Sequence, residues 1–180
     1  KGLFAAEGHV KHSVYETIES MSFAFNPKLE GDLMIFVKQC LKKENIYAKI
    51  DPKGLIYFCG YENMIRFYLM GALSLHKEKE NKFLKLIKKA KITLHFKKEY
   101  LKPLRRYSQN QIAKQLGCSQ SAVCKSLKKN FLSLKHLYKA QNLLNISYES
   151  LMRNIEALVV GTLITRDRQI IRFLLSEHLT

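Results

Sequence analysis

Gln109-Asn110-Gln111-Ile112-Ala113-Lys114-Gln115-Leu116-Gly117-Cys118-Ser119-Gln120-Ser121-Ala122-Val123-Cys124-Lys125-Ser126-Leu127 spells two short helices that meet at a glycine. Five side-chain types stand at the offsets such a pair requires. Ala113 is small, so a second helix can cross close to it. Ile112 and Leu116 supply the core face of the first helix. Gly117 permits the positive φ of a tight turn. Ser119 can cap the second helix by accepting a backbone N–H, as Ser108 can cap the first. Val123 and Leu127 then pack the second helix back onto the first.

This stretch resembles the helix-turn-helix of phage repressors of the Cro type and of many bacterial and archaeal regulators. The resemblance covers about 20 residues and implies that the second helix enters the major groove with its early residues on base edges. By position, Gln120, Ser121 and Lys125 are then the DNA-facing side chains. Gln can pair bidentately with adenine, and Lys reaches guanine. Cys124 also points outward in this reading but receives no contact.

Outward from this core the chain is basic. Lys82, Lys85, Lys88, Lys89, Lys91, Lys97, Lys98, Lys102, Arg105 and Arg106 form a dense positive stretch whose natural partner is phosphate. Residues 97–103, charged and ending in Pro103, read as a basic linker between two domains. Downstream, Tyr148 to Val160 reads as a helix. Leu163 to Arg168 and Gln169 to Leu175 alternate weakly, with Arg166-Asp167-Arg168 as a tip; this reads either as a wing, with Arg166 and Arg168 near the DNA backbone, or as a further packed helix.

The N-terminal part has a different texture. Gly8 to Phe25 is rich in β-branched and aromatic residues and reads as two strands joined by a turn near Tyr15-Glu16. Pro27 precedes a stretch with Leu29, Leu33, Phe36, Val37, Cys40 and Leu41 on one helical face. Ile46–Ile50 and Leu55–Cys59 are strand-like runs on either side of the turn Asp51-Pro52-Lys53-Gly54. Glu62 to Leu75 is apolar at helical spacing, and Glu78 to Ile92 continues as a second, basic helix. With the opening segment helical, the order is helix, strand, strand, helix, strand, strand, helix.

That opening segment, Lys1-Gly2-Leu3-Phe4-Ala5-Ala6-Glu7-Gly8, resembles the LAGLIDADG motif without its first residue, and the downstream order is similar to the αββαββα core of that family. The resemblance spans about 92 residues. It implies a saddle-shaped sheet over the DNA major groove, with Gly2 and Ala6 letting two motif helices pack closely. It also implies Glu7 as the catalytic, metal-holding carboxylate, with Gly8 beside it in the metal site and Mg²⁺ as the ion. Outward strand and turn positions Lys11, Ser13, Tyr15, Lys49 and Lys53 become expected DNA contacts, subject to a one-residue choice of face.

The pattern departs from the family in two places. Ala5 replaces the motif's first Asp, and Phe58-Cys59-Gly60-Tyr61 lacks the lysine that active members often place there. One carboxylate is not enough for metal-dependent cleavage. The segment Val159 to Arg166 fails as a second motif because Arg166 falls at the acid position. The second acid must therefore come from a homodimer through the motif helix, or from a motif upstream of Lys1.

Composition agrees with a nucleic-acid partner. The chain of 180 residues carries a net charge of +16, and 47% of its residues are apolar, enough for a packed core. No apolar run reaches the roughly 18 residues of a membrane span, and the start lacks the layout of a signal peptide. Cys40, Cys59, Cys118 and Cys124 include no C-x-x-C spacing, which argues against a zinc site and for a reducing, intracellular setting.

The expectation is an α+β protein in two parts: a LAGLIDADG-type domain over 1–96, the linker 97–103, and a mainly helical, helix-turn-helix domain, winged or not, over 104–180. The expected function is sequence-specific binding of double-stranded DNA, by a metal-dependent homing endonuclease with an accessory reader and a site of about 15–25 base pairs. The alternatives are a non-cutting regulator similar in its parts to the WhiA-type sporulation regulators, and an RNA intron maturase.

Overall fold

The computed structural model describes residues 2–13, 18–144 and 147–179. The chain forms two compact units, the first running to Ala90 and resuming at Phe173, the second covering Lys91–Arg172. Each is α+β around its own four-stranded antiparallel sheet.

The first unit begins with α1 (Gly2–Glu7), β1 (Gly8–His12), β2 (Ile18–Ala24), α2 (Gly31–Lys43), β3 (Lys49–Ile50), β4 (Leu55–Cys59) and α3 (Tyr61–Leu69), the order read from the sequence. A further helix, α4 (Lys77–Lys88), follows. The turn expected near Tyr15-Glu16 lies outside the described residues, and so does Tyr15. Strand order is β1-β2-β4-β3. The register sets Gly8 opposite Phe23 and Phe23 opposite Ile56, with Val10, Met21 and Phe58 in the neighbouring row. These residues are buried, because alternate side chains of a strand share one face. Phe4 of α1 sits on this face, edge-on to Phe23 at 5.2 Å and to Phe67 of α3 at 4.9 Å between ring centroids. The last helix, α9 (Arg168–Leu179), brings Phe173 against Tyr68 and Phe83 in the same core.

Three sequence expectations change in this unit. The helix expected at Pro27 starts at Gly31 instead, because Asn26 and Glu30 hold residues 26–30 in a turn through Lys28 N–Asn26 Oδ1 and Asn26 N–Glu30 Oε2 bonds. Its expected apolar stripe is buried only in part: Leu41 meets the core together with Met34, Val37 is half-buried, and Leu33, Phe36, Cys40 and, ahead of the helix, Leu29 are exposed. The helix expected over Glu62–Leu75 stops at Leu69, where Gly71 takes a positive φ, and α4 restarts behind His76, whose Nδ1 accepts from Lys79 N.

The second unit runs β5 (Ile92–Phe96), a 3₁₀ turn (Lys102–Arg106), α5 (Gln109–Leu116), α6 (Gln120–Lys129), β6 (Phe131–Ser133), α7 (Leu134–Leu144), α8 (Tyr148–Asn154), β7 (Ile155–Val160), β8 (Leu163–Thr165) and the start of α9. Its sheet has the order β6-β5-β7-β8. β5 pairs with β6 and β7, so Ile92–Phe96 and the basic segment 97–103 both belong to the second unit. The helical reading of this region missed that sheet. Tyr148–Val160, expected as one helix, divides at Ile155, whose backbone turns extended so that the apolar run Ile155–Val160 pairs along β5. The β7–β8 hairpin turns at Gly161-Thr162. Arg166-Asp167-Arg168 is therefore not a hairpin tip. It is the entry to α9, where Asp167 Oδ1 accepts from Gln169 N at 2.9 Å. No helix among the described residues is long and apolar enough to cross a membrane.

Candidate nucleic-acid interface

The α5–α6 pair is assembled by the residues the sequence singles out. Ser108 caps α5, with its Oγ accepting from Gln111 N at 3.2 Å while Gln111 Oε1 accepts from Ser108 N at 2.9 Å. This reciprocal box satisfies donors that the first helical turn leaves open. Gly117 ends α5 in the left-handed region at φ 67°, ψ 44°, a conformation that an L side chain adopts only at a cost. Ser119 Oγ then accepts from Ala122 N at 3.3 Å and caps α6. Ile112, Ala113, Leu116, Val123 and Leu127 are buried between the helices.

With one flank of α6 locked inward, Gln120, Ser121, Cys124, Lys125, Lys128 and Lys129 are left exposed. Gln120 Nε2 donates to Gln109 Oε1 at 3.4 Å, and Ser119 Oγ lies 3.0 Å from Ser121 Oγ. Gln109 and Gln120 are each the first residue of their helix. The sequence reading passed over Gln109. Its signal was its place at the start of α5, and only the crossing of the two helices brings its amide to Gln120.

Charge gathers on the same unit. Residues 91–172 hold sixteen Lys and Arg against four Asp and Glu, +12 of the chain's +16. Between Glu99 and Glu149 there is no acidic residue and nine Lys and Arg. Arg105 and Arg106 are exposed just ahead of α5. Arg166 and Arg168 stand elsewhere in the unit, where β8 gives way to α9, and Arg168 Nη1 donates to Met152 O at 2.9 Å.

In the first unit the register sorts the strand residues. His9 lies opposite Ser22, Ser22 opposite Tyr57 and Tyr57 opposite Lys49, one row across all four strands on the face away from Phe4. Lys11, Ser20 and Cys59 form the next row. Lys11 and Lys49 thus sit on the outer face as expected, although Lys11 is paired with Glu19 at 3.1 Å. Lys53 is exposed in the β3–β4 turn, where its N–H donates to Asp51 Oδ1. Ser13 is half-buried beyond the end of β1. His9, Ser22 and Tyr57 were missed because facing depends on register, which a short strand does not announce.

Glu7 ends α1 with an exposed side chain, and Gly8 turns the chain directly into β1. A Cβ on Gly8 would lie 2.2 Å from the Phe4 ring and 2.4 Å from Phe4 O, so only glycine fits there. Lys79 of α4 holds this corner: its Nζ donates to Phe4 O at 3.0 Å and lies 5.5 Å from the Phe4 ring centroid. Partial burial, followed by the charges of Lys82, Lys79 and His12, holds His9 below its ordinary pKa.

As a metal centre, one copy of this corner offers a single carboxylate. No group of three or more His, Cys, Asp or Glu side chains able to hold an ion occurs among the described residues. A hard divalent cation takes about six oxygen ligands, so Glu7 and the Gly8 backbone can supply part of a site and need a second acidic group from outside it. No family model, no curated protein and no solved structure matches this chain.

Proposed function

We propose that this protein binds double-stranded DNA in a sequence-specific manner through α6. The observation that carries this reading is the exposed row Gln120, Ser121 and Lys125 on a helix capped by Ser119 and joined through the left-handed Gly117 to the Ser108-capped α5, within a unit of net charge +12. Amide, hydroxyl and ammonium groups on one helix flank match the hydrogen-bonding edges of bases in the major groove. Lysines and arginines without acidic neighbours match phosphate. Fluorescence anisotropy against a library of duplexes tests the reading. Gln120→Ala with Lys125→Ala is expected to weaken binding to the selected duplex at fixed salt, and an unchanged titration would overturn it.

The outer face of the β1-β2-β4-β3 sheet, with His9, Tyr57, Lys49 and Lys11, is the second DNA surface in this proposal, as in a LAGLIDADG-type saddle. Glu7 and Gly8 are the half-site for a Mg²⁺ ion that would supply Lewis-acid stabilisation of a cleaved phosphodiester. The other half is a second motif helix beside α1, from another copy or from an upstream segment. Plasmid nicking with Mg²⁺ decides this part: loss of nicking in Glu7→Gln supports an endonuclease. Tight duplex binding without nicking in either protein leaves a regulator. Preference for structured RNA over duplex DNA in competition points to a maturase.

A further inference from the structure

Part of the apolar stripe on α2 does not serve its own core. Phe36 is 61% exposed and Leu33 39%, outside the flank that buries Met34 and Leu41, and Leu29, in the turn ahead of the helix, is 83% exposed. Beside them runs a cavity of about 350 Å³, walled by Leu33, Phe36, Val37 and Cys40 of α2 and by Leu3 and Phe4 of α1. A knob and a socket thus lie on one patch. A patch of that kind fits itself across a two-fold axis, where each copy offers both parts. A contiguous exposed apolar surface of this sort marks an interaction site.

The charges on α2 select the orientation. Asp32 stands at its N-terminal end, and Lys42 and Lys43 at its C-terminal end. At 100° per residue, Asp32 and Lys43 fall on the same rim of the stripe. Neither residue has an ion-pair partner among the described residues. In an antiparallel helix pair related by a two-fold axis, like rims meet, so Asp32 of each copy comes alongside Lys43 of the other. A two-fold-related parallel pair would bring unlike rims together and leave this charge complement unused. Antiparallel packing also opposes the helix dipoles favourably. Charge elsewhere points the same way. The first unit carries fifteen Lys and Arg against eleven Asp and Glu, so two copies meet there with far less repulsion than through the second unit.

We infer that a second copy of this chain docks on α2, antiparallel, with Leu33 set against Cys40 of the other copy and Phe36 against Val37. The contact uses the α2 stripe with Leu3 and Phe4 at its edge, not the Gly2 and Ala6 positions through which motif helices would pair, and does not depend on DNA. α2 has 13 residues, a length of about 20 Å, so the buried area lies at the low end for specific contacts and the dimer constant is expected in the micromolar range.

Sedimentation velocity of the full chain without DNA, across roughly 1–200 µM to bracket that range, tests this. Phe36→Asp is expected to raise the dimer constant at least about tenfold, and Asp32→Lys by about three- to tenfold, each acting twice across the axis. Adding Lys43→Asp to Asp32→Lys is expected to restore association. All these positions are exposed, and circular dichroism confirms the fold of each variant. Ala6→Arg, which blocks the α1 face, is expected to leave this association unchanged. A chain that stays monomeric throughout, a dimer indifferent to Phe36→Asp, a dimer broken by Ala6→Arg alone, or a double charge reversal that fails to rescue would each overturn the inference.

Discussion

The side-chain amide of Gln120 donates to that of Gln109, Nε2 to Oε1 at 3.4 Å, across the crossing of α5 and α6. The bond fixes which way the Gln120 amide faces while leaving its Oε1 and one N–H open for a base. Loss of a bidentate glutamine contact costs about 1–3 kcal/mol at the preferred base, and this is the loss expected for Gln120→Ala in a binding titration. Gln109→Ala is expected to weaken binding less and to blur discrimination at the same base pair. A double-mutant cycle between the two is expected to give a coupling of about 0.5–1 kcal/mol. Additive effects would mean that Gln109 does not orient Gln120.

Charge neutralisation gives a second, independent readout. Log affinity falls with log salt by about 0.9 for each phosphate neutralised. Lys125, Lys128 and Lys129 are exposed on α6, and none has a partner within hydrogen-bonding distance among the described residues. Lys128→Gln and Lys129→Gln are each expected to reduce the salt slope by about one if the residue contacts phosphate, with equal losses on specific and random duplexes. A loss confined to the specific duplex would instead place that lysine on a base.

Gly8 and Gly117 are required for different reasons, and alanine separates them. At Gly8 a methyl group meets the Phe4 ring and backbone at 2.2–2.4 Å. The cost is core strain, expected at about 1–3 kcal/mol in urea unfolding with an unchanged slope. At Gly117 the nearest atom to an added Cβ is Lys139 Nζ, 2.8 Å away at the end of a flexible chain that can swing clear. There the cost is the left-handed backbone alone, about 1 kcal/mol. Gly8→Ala is also expected to displace Glu7, because the two residues form one corner.

The α5–α6 pair was legible because its determinants are local. Ser108, Gly117 and Ser119 act within three or four residues of themselves, and each took the role its position implied. The order of elements in the first unit was legible for a similar reason, since period-two and period-3.6 patterns alternate cleanly there. The α2 stripe shows where such reasoning stops. Periodicity identified one apolar face but could not say that Met34 and Leu41 meet the core while Leu33 and Phe36 remain outside. The second sheet was illegible from short range. β6 is three residues long and pairs with β5 across two intervening helices, as in Thr93 opposite Ser133, so nothing near Phe131 signals a strand. His9, Ser22 and Tyr57 join the expected Lys49 in one sheet row through cross-strand register, and their place in it was invisible for the same reason.

His136 makes stability depend on pH in a direction that can be worked out. It lies half-buried on α7, and burial, then the charges of Lys139 and Lys135, hold it below its ordinary value of 6.5. The unfolded chain therefore binds a proton in a range where the folded chain does not. In that range stability rises with pH. The contribution is fully present above 6.5 and is lost as pH falls through the lowered folded value. His9 is shifted in the same direction, so it adds to the trend. Thermal unfolding followed from about pH 7.5 to 5.5 is expected to show a falling midpoint. In His136→Gln, which retains a polar side chain of similar reach, the fall is expected to be shallower but not abolished, because His9 remains. An equal fall in both proteins would show that His136 titrates alike folded and unfolded, and that the lysines beside it do not act on it.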